Sequence, residues 1–382
     1  MNESSAVIQN FLSPQFFLAL VIAVALVPVL KRIAVKIGLI DHPGGRKQHK
    51  ASVPLAGGSA ILFATAISLF IWGLPIEFQG MAFAATGLFL IGAIDDRFDI
   101  SAKFRLLVQT LMVAIALYWD NNWISTISLT ESLSFDLGIF QYPITILAIL
   151  GVMNAINMLD GLDGLSSGVV LIIVGFIIGI AVVANQSSIA LVSTCLFGAV
   201  LGFWAYNYRF AWREKASVFM GDSGTTMLGF ALPYLAIKLS TIAPTYAPKS
   251  FLLWLFAIPI WDLCAVILKR LREGKSPLSP GRDHIHHVLM NAGLSVRHSL
   301  HLIYLLTIAT ISFGVSIQFF ALTKIEAYAA FLVFMTIYLL RVGSLTRKNK
   351  AEVYALDATK RVEPYVDDAT VIELTKRSNT LS

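Results

Sequence analysis

The chain has 382 residues, 57% of them hydrophobic and 14% charged, with a mean hydropathy of +0.74. That balance excludes a string of soluble domains, and its long continuous apolar runs exclude an alternating β-barrel pattern, leaving an all-α, polytopic membrane bundle. The net charge of +6 follows membrane topology, as the loops below show, and is no footprint for nucleic acid.

The N-terminal stretch MNESSAVIQNFLSPQ has no basic n-region and no small-residue cleavage site, so no cleaved signal peptide is expected. Eleven spans are predicted, at 15–31, 53–72, 78–94, 104–119, 143–158, 165–184, 188–208, 217–238, 250–268, 300–320 and 325–342. Each approaches the roughly 20 residues that cross a bilayer core. With eleven crossings the termini lie on opposite sides. Of the 29 lysines and arginines, all but Lys238, Lys249 and Lys324 fall in one set of loops and the tail. The positive-inside rule makes that set cytoplasmic, with the N-terminus periplasmic and the C-terminus cytoplasmic. Residues 1–350 then form one integral-membrane domain, with cytoplasmic loops at 32–52, 95–103, 154–166, 209–222 and 269–299, and 351–382 form a cytoplasmic tail. The outer segment 120–142 alternates like a small hairpin with its turn near Glu131–Ser132. Cys195 and Cys264 lie in apolar runs and are expected to pack, not to pair.

The polar motifs concentrate on the cytoplasmic side. The first is Gly44–Lys50 (GGRKQHK), followed by Pro54 and Gly57-Gly58, a basic loop that anchors at a membrane or clamps a polyanion. At the end of the third span, Asp95 and Asp96 are adjacent carboxylates that need a cation or water to stay ionised together. Lys103 opens the fourth span as a snorkelling anchor or a phosphate ligand. Asn154–Gly164 reads NAINMLDGLDG, with Asn154, Asn157, Asp160 and Asp163 three residues apart, a spacing that keeps neighbours near one helical face. Phe219–Gly224 (FMGDSG) places Asp222 just inside the eighth span, a costly position unless it is paired or metal-bound. In the loop 269–299, Gly281–His287 (GRDHIHH) carries three histidines. No accompanying zinc motif is present, and histidine and arginine equally donate to phosphate or sugar oxygens. Carboxylates with amide oxygens suit a hard cation, and the bases suit phosphates, so phosphoryl transfer from a metal-bound diphosphate at the membrane surface fits.

These motifs, in this order over most of the chain, resemble the polyprenyl-phosphate N-acetylhexosamine-1-phosphate transferases. The HIHH loop looks more like the N-acetylglucosamine branch of that family than the phospho-N-acetylmuramoyl-pentapeptide branch, which is the alternative. The resemblance implies transfer of a sugar 1-phosphate from UDP-N-acetylglucosamine, or a related UDP-HexNAc, to undecaprenyl phosphate, with release of UMP. It implies Mg2+, with Mn2+ able to substitute, on Asp222 and Asn157. Asp95 and Asp96 would lie at the lipid phosphate and Lys103 on a phosphate, while Asp160 and Asp163 would shape the nucleotide or metal side. His49, Lys50, Asn154, Arg282, His284, His286 and His287 would bind substrate, and Asp283 receives no role. The expected location is the bacterial inner membrane, in a surface-glycan pathway of the O-antigen, common-antigen or teichoic-acid type. Two other classes are a secondary transporter, whose acids would lie near the midplane, and a membrane metalloprotease, which would need the missing zinc motif. Small residues such as Gly87, Gly92, Gly175, Gly179, Gly198 and Gly202 permit close helix packing, within one chain or across a homodimer.

Overall fold

Each predicted apolar run falls on helix in the computed structural model, which describes residues 13–41, 52–130, 132–213, 215–276, 281, 283–319 and 323–361, with side chains described to residue 347 except at 318 and 319. The helices are α1 (Pro14–Ile37), α2 (Gly57–Trp72), α3 (Gln79–Phe98), α4 (Ala102–Trp119), α5 (Gln141–Leu159), α6 (Leu165–Val183), α7 (Ser187–Asn207), α8 (Gly221–Ile242), α9 (Lys249–Leu255), α10 (Ala257–Arg272), α11 (Ile285–Asn291), α12 (Val296–Phe319) and α13 (Lys324–Arg361). Among the described residues nine helices, α1, α3 to α8, α12 and α13, are long and apolar enough to cross a bilayer. The protein is a polytopic helical membrane protein. The sheet among the described residues is two short antiparallel ribbons, β1 (Ile40–Asp41) with β2 (Val53–Pro54), and β3 (Thr126–Ser128) with β4 (Ser134–Asp136). The second ribbon is the hairpin expected in the outer segment; Glu131, at its expected turn, lies outside the described residues.

Three elements differ from the sequence expectation. The run 53–72 is helical only from Gly57, and its 16 residues span about 24 Å at ~1.5 Å per residue. Pro54 disfavours helix at the residue before it, and Val53-Pro54 pairs with Ile40-Asp41 instead. The run 250–268 is two helices, α9 and α10, bent by 71°. The break sits at Phe256, one turn before Pro259, whose missing N–H cannot continue the ladder across the joint. The last span does not stop near 342, because α13 continues to Arg361 inside the expected tail.

The bundle is organised on α8. Every residue from Ser223 to Ser240 is buried, as expected of a helix that is apolar all round at the core of a bundle. Its antiparallel neighbour α3 approaches so closely that a Cβ on Gly92 would overlap the backbone of Ser223. Gly198 and Gly202 of α7 play the same part against α1, so these predicted small-residue contacts are made within one chain.

At one end of the α3–α8 pair, Asp120 caps α3. Its carboxylate accepts from Gly80 N (2.9 Å), Met81 N (2.8 Å) and the Tyr234 hydroxyl, and its carbonyl accepts from Lys238 Nζ (3.1 Å). At the other end Asp96 does the same for α8, accepting from Asp222 N (2.7 Å) and Ser223 N (3.1 Å). Each carboxylate satisfies amides that a helix start leaves without partners.

Candidate active site

The second capped end opens into a cavity of about 830 Å³. The chain strands meet there for local reasons. The segment before α2 is zipped to the FMGD segment: Phe219 N donates to Pro54 O (3.0 Å), Gly57 N to Phe219 O (2.9 Å) and Gly58 N to Met220 O (3.0 Å). This places the segment from Pro54 to Gly58 beside the start of α8; His49 and Lys50 lie outside the described residues, as does Arg282.

Asp222, in the first turn of α8, accepts from Asn157 Nδ2 on Oδ1 (2.8 Å) and from Arg105 Nη1 on Oδ2 (3.2 Å). Asn157 Nδ2 also donates to Thr225 Oγ1 (2.7 Å). The same Arg105 nitrogen forms an ion pair with Asp95, which is 6% exposed and also accepts from Ile100 N (3.0 Å). Arg105 therefore bridges α3 and α8. Lys103, the cation expected there, is exposed and off the cavity wall. Arg105 shares its helical phase with the buried Gln109 and Val113 of α4, and that phase is the sequence signal that distinguishes the two.

Asn157, Asp160 and Asp163 all line the cavity, as their spacing suggested. Asn154 does not: its Nδ2 donates to Leu150 O of its own helix (2.8 Å). Three residues fall about 60° short of a full turn, so the face drifts away within two steps. Asp163 is occupied by Arg209 Nε (2.8 Å) and Ala216 N (2.9 Å). The turn is held from below by Asn207, which accepts from Gly164 N (2.7 Å) and donates to Val218 O (3.0 Å), tying the LDG turn to the FMGD segment. Asp160 faces the cavity with no hydrogen bond to its carboxyl from the described residues. Burial, followed by the charges of Asp222, Asp163 and Asp96, pushes that carboxyl up to about 7.

The histidines do not act as one group. His284 Nδ1 is paired with Asp262 Oδ2 (2.8 Å), His286 is buried against Gly161, and His287 lines the cavity. Burial, then the neighbouring His287 and His284, hold the His286 imidazole well below the usual histidine range, so it is neutral. Asp283 pairs with Lys269 and lies 3.7 Å from Arg270 Nε.

Seven aspartates line the cavity (Asp41, Asp95, Asp96, Asp99, Asp160, Asp163 and Asp222), against three arginines, Arg97, Arg105 and Arg209. An anionic substrate would be repelled by this surplus unless a cation accompanied it. Among the described residues no three His, Cys, Asp or Glu side chains form a ready metal cage. Mg2+ does not ask for one, since it takes one or two carboxylates and completes its shell with water and substrate phosphates. The Asp222 carboxylate and the amide oxygen of Asn157, whose Nδ2 is the atom turned to Asp222 here, fit such an ion, with Asp160 close enough to feel the Asp222 charge. Arg105, Asn207, Arg209, Asp41 and Asp262 are site or support residues that motif reading had not singled out.

A sequence profile described as glycosyl transferase family 4 matches residues 78–240, which hold Asp95, Asp96, Asn157, Asp160, Asp163 and Asp222. An undecaprenyl-phosphate alpha-N-acetylglucosaminyl 1-phosphate transferase of Escherichia coli (strain K12) is 34% identical over 296 residues, 76% of this chain and 79% of that protein. Proteins of the same name from Yersinia pestis and Pasteurella multocida are 32% and 34% identical, over 86% and 81% of this chain and 90% and 87% of their own lengths. The chain belongs to glycosyl transferase family 4. It is a sugar-phosphate transferase, of the kind the ordered motifs resembled. The profile ends at residue 240, so the transferase's histidine loop stands on geometry: the 71° bend between α9 and α10 precedes the helix that carries Asp262, to which His284 is paired.

Proposed function

We propose that the transferase moves N-acetylglucosamine 1-phosphate from UDP-N-acetylglucosamine to undecaprenyl phosphate, at the cytoplasmic face of a bacterial inner membrane, in a Mg2+-dependent reaction. The observation that carries this reading is the acidic cavity where α3 and α8 meet, with Asp222 at its centre and one guanidinium, Arg105, spanning to Asp95. The sidedness rests on the distribution of cations, and the sugar and the lipid acceptor are those in the names of the relatives.

In the reaction an oxygen of the lipid phosphate attacks the sugar-bearing phosphorus. A new P–O bond forms, the P–O bond to UMP breaks, and UMP leaves with the bridging oxygen. Two anions must approach one phosphorus, so charge neutralisation and positioning supply most of the rate. Bound Mg2+ would supply Lewis-acid neutralisation of the diphosphate oxygens. Asp222 and the amide oxygen of Asn157 would be its protein donors. Arg105 sits where it can take a phosphate oxygen once substrate competes for it. Asp95 holds Arg105 in place, and Asp96 fixes the α8 amide start on which Asp222 rides. A phosphate monoester has its second pKa near about 6, so the attacking oxygen is already ionised and direct attack needs no aspartyl intermediate. Asp160 and the His287 wall receive the sugar-nucleotide side.

The test is UMP release by purified protein in detergent, with UDP-N-acetylglucosamine, undecaprenyl phosphate and Mg2+ each omitted in turn. Release that requires all three is the expected result. No release with any UDP-HexNAc would remove this reading.

A further inference from the structure

Nothing in the glycosyl transferase core explains what holds the histidine loop against the cavity. Helix α11 has seven residues, too short to persist alone. Its first turn is gripped by one buried carboxylate. Asp262, with a side chain only 2% exposed, accepts from Ile285 N on Oδ1 (2.7 Å) and meets His284 Nδ1 on Oδ2 (2.8 Å). Tyr338 of α13 approaches the same Oδ1 at 3.4 Å. A carboxylate only accepts, so His284 carries a proton on Nδ1.

The two bonds fix different things. The His284 bond sets one ring, and the Ile285 bond sets the backbone from which the next two side chains leave. His286 then lies 1% exposed against Gly161, where any Cβ would run into its ring. Neither ring nitrogen of His286 has a partner among the described residues, so its contribution there is contact with the acid turn, not a hydrogen bond. His287 follows on the cavity wall. The loop thus interlocks with the Asp160–Asp163 turn through His286 and is pinned from behind by Asp262.

We infer that Asp262 is a positioning residue for the donor side of the transfer, acting through His284 and the α11 amide to hold His287 at the cavity. The inference rests on the proposed reading that the cavity takes a UDP-sugar and a lipid phosphate. It goes beyond that reading by naming a group that touches neither substrate.

The experiment compares wild type, Asp262→Asn and Asp262→Ala as full-length protein in detergent, with Asp120→Asn as a buried-carboxylate control at the opposite end of the bundle. Asp262→Asn is nearly isosteric and can still accept from Ile285 N, so it keeps the comparison readable if Asp262→Ala folds poorly. Asp262→Ala is expected to raise KM for UDP-N-acetylglucosamine by about 10-fold while KM for undecaprenyl phosphate stays within about twofold; Asp262→Asn falls between it and wild type. Asp120→Asn is expected to lower the melting temperature and leave both KM values alone. Unchanged donor KM in both Asp262 variants, or equal shifts in both KM values, would overturn the inference. Amide hydrogen exchange gives an arm that needs no turnover: Asp262→Ala should speed exchange across 285–291 by about 10-fold or more. Wild-type protection of α11 in that variant overturns the positioning role, whereas absence of UMP release by wild type counts against the functional reading alone.

Discussion

At the β3–β4 end of the α3–α8 pair, the carboxylate of Asp120 takes two amides of α3 and the Tyr234 hydroxyl, with Lys238 on its carbonyl. At the opposite end Asp95 and Asp222 share one guanidinium, Asp96 caps α8, and Asp160 faces the same space with its carboxyl pushed up to about 7. Both regions begin from the same device, an aspartate capping a neighbouring helix. The first ends balanced, each oxygen of Asp120 answered by a donor from the fold. The second ends with more negative charge than its arginines offset, which is an arrangement that an added cation and its phosphates complete. A satisfied network holds a structure together, and an over-charged one is held in readiness for a ligand.

Substitutions can test this contrast. Asp222→Asn should have the largest effect, a loss of about 10³-fold in UMP release with the melting temperature little changed, since Asn157 and Arg105 retain neighbours; near-normal turnover would remove Asp222 from the metal shell. Next, Arg105→Ala should cost roughly 10²-fold in kcat/KM, while Lys103→Ala should stay within about twofold. The reverse ranking would return the phosphate role to Lys103. At the balanced end, Asp120→Ala should destabilise the protein by roughly 2–4 kcal/mol, because it strands the Tyr234 hydroxyl and two α3 amides. Its turnover per folded molecule should match wild type, read by pairing thermal melts with active-site titration.

The smallest effect is on pH. Burial and the neighbouring acids push the Asp160 carboxyl up to about 7, against 3.8 for an unperturbed carboxyl. A raised folded pKa means the protonated form favours folding, so its contribution is full below about 4 and is lost as pH rises through about 7. Melts in chelator should therefore fall in temperature across that window, and Asp160→Asn should flatten the slope. An unchanged slope in that variant would place the titration elsewhere.

Much of this was legible before the fold. The apolar runs mark the helices, and the motif residues do lie together: Asn157 and the acids Asp160, Asp163 and Asp222 share one cavity with Asp95 and Asp96. What failed failed for local physical reasons. Asn154 drifts off the shared face, a proline three residues on breaks the ninth run at Phe256, and the second run loses its first turn to a ribbon ending in Pro54.

Sequence alone determined the membrane class, the family resemblance and the inventory of acids, because hydropathy and motif order are properties of the chain. Only the tertiary structure decided which acids are spoken for. Lys103 and Arg105 are two residues apart, which is about 200° around a helix, so one faces lipid or water and the other faces Asp95 and Asp222. Asp120 and Asp262 read alike as isolated acids near apolar runs, yet one stabilises a helix start far from the cavity and the other pins the histidine loop beside it. Partners for a buried carboxylate come from segments distant in the chain, and spacing along it carries no record of them.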